Sequence, residues 1–308
     1  QMKKILENIS ENREAFLALR KTHIGASDVP TILGLNPWKS PFELWAEKTT
    51  DLTDVDNDTD RLWYGREAED LVAKLFLRRN PEFKLTAPDS VFVHNEYEWL
   101  TCSPDRFINN DGLLECKTTI SNNDDWSCEK APDYAHCQLI TQMAVTGMRW
   151  GYCGVIIGGD VNKSYFPRFE FSDELWEQIL PILSNFYQCI KFNTPPETRS
   201  GDLAVINKFF KTENTEIDLS DDVNLQNLIK QYEDVKYGYE FSCKTVNKLK
   251  EELDKISAGI RLKMGGNRRA ICGNYICELK KIEKKAYSVN ASSYESFKIR
   301  RVENGKEQ

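Results

Sequence analysis

The spacing of apolar residues along the chain predicts several amphipathic helices. The clearest is Arg66–Arg78, whose apolar positions recur every three or four residues and fall on one face. Further helices are predicted at Asn12–Arg20, Asp28–Leu33, Pro41–Lys48, Tyr134–Thr146, Asp173–Phe192 and, with an interruption near Gly238, Asp221–Met264. Ser27 is predicted to cap the second of these, because serine accepts a hydrogen bond from a free N–H of the first helical turn.

Other segments are rich in strand-forming residues. Strands are predicted at Ser90–His94, Trp99–Phe107, Gly112–Thr118, Trp150–Ile157, Lys163–Phe171 and Ala270–Lys281, the last turning between Cys272 and Cys277. The run Asn109–Gly112 is typical of a hairpin turn. The pattern predicts an α/β fold with two parts. Residues 1–200 form a compact domain, and residues 215–308 form a helical plus β-hairpin appendage.

Composition narrows the class of protein. The 308 residues are 40% hydrophobic and 29% charged, which is ordinary for a globular protein, and no apolar run approaches the roughly 20 residues that cross a membrane. The net charge of −7 argues against nucleic-acid binding over the whole surface. However, Arg261–Arg301 contains eleven basic and three acidic residues. This basic stretch is either a solvated face or a contact region for DNA or protein.

The cysteines indicate a reducing compartment. There are nine, an odd number, and none forms a CxxC pair. No basic-then-apolar signal opens the chain, so we expect neither a secreted nor a membrane protein. An intracellular location, such as the cytoplasm or nucleus of a host cell, follows as the expectation.

The most informative chemistry surrounds a predicted hairpin. Asp105 is expected to end one strand, and Glu115 and Lys117 share one face of the next. The turn between them brings two carboxylates and a lysine together. Hard oxygen ligands suit Mg²⁺ or Mn²⁺, and the backbone carbonyl of Cys116 offers another oxygen. Lys117 would position or deprotonate an attacking water. An ordinary surface hairpin with a salt bridge would show the same spacing.

The residues around this hairpin carry a family resemblance. Ser103-Pro104-Asp105 followed by Leu113–Thr118 resembles the PD-(D/E)xK nuclease signature. More narrowly, residues 13–160 resemble the YqaJ-type viral recombinase family, to which phage lambda exonuclease belongs. Further matching segments, in the right order, are Arg20 with Ile24–Asp28, Ile32–Trp38, Pro41–Trp45, Tyr64–Glu69, and Tyr134 with Gln138 and Met143–Gly147. The resemblance implies a PD-(D/E)xK nuclease core, a central mixed sheet flanked by helices.

The resemblance also implies roles for individual residues. Glu69, Asp105, Glu115 and the Cys116 carbonyl would hold one or two Mg²⁺ or Mn²⁺ ions. Lys117 would orient the nucleophilic water, and Gln138 would hydrogen-bond that water or a phosphate. Relatives often carry a second glutamine two residues later, where this chain has Ile140; Gln142 is an alternative at a different spacing. Arg20 and Ser27 would contact a DNA phosphate near the cut.

The implied activity is that of a metal-dependent DNA exonuclease. It would degrade linear double-stranded DNA from its 5′ ends and leave 3′ single strands for a single-strand annealing protein. Family members can form homo-oligomers, including ring-shaped trimers. Two alternatives stay open: a repair-type or CRISPR-associated-like nuclease of the same superfamily, and a DNA-binding protein that has lost catalysis. The absence of a four-cysteine cluster argues against the first, and the complete set Glu69, Asp105, Glu115 and Lys117 argues against the second.

Overall fold

A computed structural model describes most of the chain in two units. The described residues are 2–50, 59–120, 125–209, 216–272, 274–279, 302–303 and 306–307. The units are residues 1–211 and 212–308. Much of the basic stretch, residues 280–301, lies outside the described residues.

The first unit contains both strands and helices. In order they are β1 Lys3–Glu7, α1 Arg13–Thr22, β2 Ile24–Gly25, α2 Val29–Ile32, α3 Pro41–Thr49, α4 Asp60–Arg79, β3 Leu85–Thr86, β4 Ser90–Val93, β5 Leu100–Cys102, β6 Arg106–Ile108, β7 Gly112–Thr119, α5 Asp133–Thr146, β8 Trp150–Ile157, β9 Asp160–Tyr165, β10 Arg168–Glu170, α6 Asp173–Lys191 and α7 Asp202–Phe209. A short 3₁₀ turn, Ala26–Asp28, precedes α2.

Two mixed sheets organise these elements. The smaller has the strand order β1-β4-β5-β2, in which β2 runs parallel to β5. The larger has the order β10-β8-β7-β6-β3, with β9 also pairing with β8. Its central pair β7–β8 is parallel, whereas the hairpin β6–β7 is antiparallel. This confirms the prediction of an α/β fold with mixed sheet flanked by helices.

Strand β7 is covered on both faces, which explains its apolar sequence. Leu113 belongs to a buried cluster with Leu139 of α5. Leu114 and Cys116 belong to a second cluster with Phe76 of α4. Because successive strand residues point to opposite faces, the odd-numbered side chains of β7 face α5 and the even-numbered ones face α4.

Two predicted strands are each divided in the structure. Trp99–Phe107 is interrupted at Ser103–Asp105 and contributes β5 to one sheet and β6 to the other. Asp105 therefore does not end a strand as predicted but connects two. Lys163–Phe171 is interrupted before Pro167, because proline has no N–H to donate to a sheet. Neither β1 nor α7 was predicted from the sequence, and α7 lies beyond the predicted domain end at residue 200.

The second unit contains one long helix, α8 Val223–Met264, with 42 residues. The predicted interruption near Gly238 is wrong, because the helix is continuous through this position; it ends at Gly265, whose φ is +56°. The hairpin of β11 Arg269–Cys272 and β12 Tyr275–Glu278 follows, and Val302–Glu303 pairs with Lys306–Glu307. None of the described helices, α8 included, combines the length and apolar character needed to span a membrane.

Candidate active site

Asp105 is fixed against strand β7 by a backbone hydrogen bond. It immediately precedes β6, where Arg106 pairs with Leu114 in the antiparallel hairpin. This register brings Asp105 beside the next residues of β7. Its Oδ2 atom accepts a hydrogen bond from the backbone N–H of Cys116 at 2.7 Å. The hairpin thus brings Asp105 and Glu115 together, although Asp105 belongs to a connection and not to a strand end.

Glu115 is the centre of a buried hydrogen-bond network. Its side chain faces α5 and is only 2% exposed. One oxygen, Oε1, accepts hydrogen bonds from Lys117 Nζ and Gln138 Nε2, both at 2.6 Å. The other, Oε2, accepts from Gln142 Nε2, also at 2.6 Å. Lys117 Nζ donates in addition to Gln138 Oε1 at 3.0 Å. A buried carboxylate needs such partners, because burying an unpaired charge is costly.

Helix α5 supplies two of these partners through its periodicity. Gln138 and Gln142 are four residues apart, so they lie on the same face, one turn from each other. Both are buried. From the sequence, Gln142 is only the alternative to Gln138, because its spacing departs from the family pattern. The structure shows that both glutamines contact Glu115, and the i,i+4 spacing was the signal that predicts this.

Glu69 approaches the same cluster from α4. It is half-buried, whereas Glu67 on the same helix is exposed, which agrees with their different helix faces. Burial raises the pKa of Glu69, and the charge of Glu115 raises it further, while Arg106 and Lys117 oppose the shift. Glu69 is therefore within electrostatic range of the hairpin residues.

The carboxylates of the cluster repel one another. Burial raises the pKa of Asp105 well above its usual value, and the charges of Glu115 and Glu69 raise it further. Burial alone would lower the pKa of Lys117, but Glu115 and Asp105 outweigh that effect and raise it. The lysine is therefore held as a cation, suited to positioning a water or phosphate by hydrogen bonding.

The donor set fits a hard divalent cation. The charges of Glu69, Asp105 and Glu115 act on one another. The Oε1 atom of Gln142, beside Glu115, is buried without a hydrogen-bond partner in the described part of the chain. Mg²⁺ and Mn²⁺ prefer such oxygen ligands. Within residues that the structure describes, no three His, Cys, Asp or Glu side chains are arranged as a ready-made metal site. Both oxygens of Glu115 are already hydrogen-bonded, so binding an ion there requires one of these bonds to be exchanged.

A second charged group forms around Asp28. Its buried carboxylate pairs with Lys48 Nζ at 2.8 Å and with Arg20 at 3.4 Å, and it accepts the N–H of Gly25 at 3.0 Å. Ser27 is exposed and lies inside the 3₁₀ turn. The prediction that Ser27 caps the helix is wrong, because Asp28 binds the free N–H of this turn instead.

The charged group around Asp28 follows strand β2, which pairs with β5, the strand that leads to Asp105. Gly25 of β2 pairs with Thr101 of β5, four residues before Asp105. The contacts described for the side chain of Arg20 are with Phe16 and Asp28, separate from those of Glu115. Arg20 is about half exposed, so its guanidinium is accessible from solvent.

Comparisons with known proteins identify similar proteins, and the family match lies within the first unit. Residues 15–149 match the family model of the YqaJ-like viral recombinase domain. Over 187 residues the chain is 34% identical to the uncharacterized protein YqaJ of Bacillus subtilis (strain 168), a match that covers 59% of this chain and 58% of that relative. The chain thus spans less than two thirds of that relative's length. Residues 15–149, less than half of the chain, are therefore similar to the YqaJ-like viral recombinase domain.

Solved structures also resemble the chain. An alkaline exonuclease (LHK-Exo) from Laribacter hongkongensis is 21% identical with a TM-score of 0.49, covering 59% of this chain and 94% of that one. The same exonuclease in complex with dAMP is 20% identical with a TM-score of 0.47 and equal coverage.

Proposed function

We propose that the protein is a metal-dependent nuclease that hydrolyses phosphodiester bonds in DNA. In this proposal it degrades linear double-stranded DNA from the 5′ ends and leaves 3′ single strands for recombination by annealing. The observation that carries the proposal is the convergence of Asp105, Glu115, Lys117 and Gln138 at PD-(D/E)xK spacing. This convergence occurs inside the region that is similar to the YqaJ-like viral recombinase domain.

The metal would be Mg²⁺ or Mn²⁺, held by the carboxylates of Glu69, Asp105 and Glu115 and by the Cys116 carbonyl. Bound there, it would supply the positive charge that stabilises the attacking and leaving oxygens of an in-line displacement. The protein needs such charge because negative charge accumulates on an already anionic phosphate.

The side chains divide the remaining work. Lys117, kept protonated by its carboxylate neighbours, donates hydrogen bonds to the attacking water or to the scissile phosphate. Gln138 links Lys117 to Glu115 and so fixes the direction in which the ammonium points. Gln142 holds the other carboxylate oxygen and acts through Glu115 as a positioning residue.

Arg20 and Ser27 are proposed to contact a phosphate of the DNA. Arg20 is anchored by Asp28 yet half exposed, which leaves donors of its guanidinium fork for an incoming phosphate. Ser27 is exposed in the adjoining turn and offers a hydroxyl. The strand pairing between Gly25 and Thr101 keeps this group at a fixed separation from Asp105.

Digestion of defined DNA substrates tests the proposal. The wild-type chain, Lys117→Ala and the matched surface variant Lys163→Ala are incubated with linear duplexes, with and without a 5′-phosphate, and with closed circular DNA in Mg²⁺. Strand-specific end labels report the direction of digestion. Lys163 is exposed on β9, so its variant controls for loss of a surface lysine.

We expect the wild type and Lys163→Ala to degrade only linear DNA from the 5′ ends, and Lys117→Ala to lose at least a hundredfold in rate. Cutting of the closed circle would contradict an exonuclease and favour an endonuclease. No cutting of any of these substrates would contradict the nuclease and favour a DNA-binding protein that has lost catalysis.

A further inference from the structure

Helix α8 carries a seven-residue repeat of apolar side chains. Starting at Leu225, the first positions of six consecutive heptads (position a) are Leu225, Tyr232, Tyr239, Val246, Leu253 and Ile260. The fourth positions (position d) are Leu228, Val235, Ser242, Leu249, Ile256 and Lys263. An a/d repeat sustained over more than three or four heptads is typical of a coiled coil. We call these twelve positions the α8 seam.

The α8 seam is open to solvent. Nine of its apolar side chains are exposed, from 38% for Tyr232 to 73% for Val235, and Leu225 is half-buried. Single exposed apolar residues are ordinary on protein surfaces, whereas a continuous stripe of this length marks an interaction surface. Tyr237 and Phe241 are also exposed but lie off the seam.

We propose that α8 pairs with α8 of a second copy of this chain, parallel and in register, as a two-stranded coiled coil. A repeat of seven residues corresponds to 3.5 residues per turn, which keeps the seam straight only when two helices supercoil around each other. The partner helix must have the same period and a similar length. A helix of 42 residues is about 63 Å long. The next longest helix that the structure describes, α4, has 20 residues, so a second α8 is the matching partner.

The flanking charges favour the parallel arrangement. In a parallel pair, each g position faces the e position of the next heptad on the other helix. Lys236 would then face Gln231 of the second copy, and Lys250 would face Thr245 of the second copy, so no like charges meet at the e and g positions. Lys263 at the last d position would face Lys263 of the second copy, at the end of the helix. In an antiparallel pair with full overlap, Lys236 would face Lys250 of the second copy, and the symmetry would create this repulsion twice.

Two polar seam positions are consistent with a two-stranded arrangement. Ser242 interrupts the apolar seam near its middle, and Lys263 occupies its last position. A polar residue within the seam fixes register, because a shifted pair would bury it against an apolar side chain. In register, Ser242 faces Ser242 of the second copy.

Disulfide trapping tests orientation and register together. The full chain with Ser242→Cys is oxidised mildly, and linked peptides are identified by mass spectrometry. Two cysteines can be joined only when their Cα atoms are within about 7 Å. We expect a 242–242 link in this variant. Cys243, at position e, faces Cys243 of the second copy only in the fully overlapped antiparallel pair, so a 243–243 link would overturn the proposal. The absence of any link in α8 would also overturn it.

The second test measures particle mass by light scattering. The seam variant Val246→Asp/Leu253→Asp is compared with Gln226→Asp/Asn247→Asp, which adds the same number of negative charges on the outer side of α8. We expect the seam variant to have half the mass of the wild type and the outer variant to keep it. Three results would each overturn the proposal: a wild type with the mass of one chain, a seam variant with the same mass as the wild type, or a seam variant with one third of that mass. All seven tryptophans lie between residues 38 and 176, so their fluorescence verifies that the first unit stays folded in every variant.

Discussion

Asp28 is the best place to test the electrostatics of the fold. Its side chain is 4% exposed and pairs with Lys48, whose side chain is 5% exposed. Lys48 also donates to the backbone carbonyls of Arg20 and His23 at 2.7 and 2.8 Å. Asp28→Asn keeps the size of the side chain but removes its charge, and it leaves the buried ammonium without a carboxylate. Breaking a buried pair in this way costs about 3–5 kcal/mol of unfolding free energy.

The pH dependence of this effect follows from the pKa of Asp28. Burial alone would raise the pKa, but Lys48, Arg20 and the hydrogen bonds to the carboxylate outweigh it and lower the pKa from 3.8 to about 2. A carboxyl whose pKa is lowered on folding stabilises the fold above the unfolded value, and this stabilisation is lost as pH falls through the folded value. The difference corresponds to about 2.5 kcal/mol at pH 7 and about 1.3 kcal/mol at pH 3.

Urea unfolding at several pH values measures this prediction. The wild type, Asp28→Asn and Asp28→Asn/Lys48→Met are compared between pH 7 and pH 3. We expect the penalty of the single variant to shrink by about 1 kcal/mol over this range. The double variant, in which no buried charge is left unpaired, should recover part of the loss. A penalty below 1 kcal/mol at pH 7, or one that does not change with pH, would refute the reasoning.

Two further predictions concern the hairpin and its neighbours. Gln142→Leu removes a donor to the buried Glu115 carboxylate, so we expect urea unfolding to show an unfolding free energy lower by about 1.5–3 kcal/mol. Gln142→Asn should also be less stable than the wild type, because its side chain is one methylene shorter. A fully stable Gln142→Leu would argue against this bond. Gly112→Ala would place a Cβ atom 2.5 Å from the ring of Trp150, so thermal unfolding should show a lower Tm. The double variant Gly112→Ala/Trp150→Leu removes this clash and should recover part of the lost Tm.

Local patterns predicted the elements whose signals are contained within a few residues. The face of α4, the hairpin turn before β7 and the glycine that ends α8 all depend on neighbours along the chain. The side-chain direction of Glu115 and Lys117 likewise followed from strand alternation alone. These features could be predicted because no distant contact competes with them.

The errors have tertiary and local causes. Trp99–Phe107 was predicted as a single strand although Ser103-Pro104-Asp105 interrupts its apolar residues, and the strand pairing shows that it passes from one sheet to the other. Gly238 does not interrupt α8, because a glycine in a helix costs only about 1 kcal/mol, which the surrounding turns tolerate. Asp28, not Ser27, accepts the hydrogen bond at the start of the 3₁₀ turn before α2, and its carboxylate is also paired with Lys48. The roles assigned in catalysis, metal binding and DNA binding all stay predictions; they concern Arg20, Ser27, Glu69, Asp105, Glu115, Cys116, Lys117 and Gln138.

Assembly of the carboxylate cluster depends on strand pairing around Asp105. The residues just before Asp105 belong to one sheet and those just after it to the other, and its carboxylate is tied to β7. A chain that has formed only the smaller sheet therefore holds Asp105 at a free end, away from Glu115. Formation of the cluster thus reports completion of the larger sheet, and a folding intermediate trapped before that step would carry no assembled site.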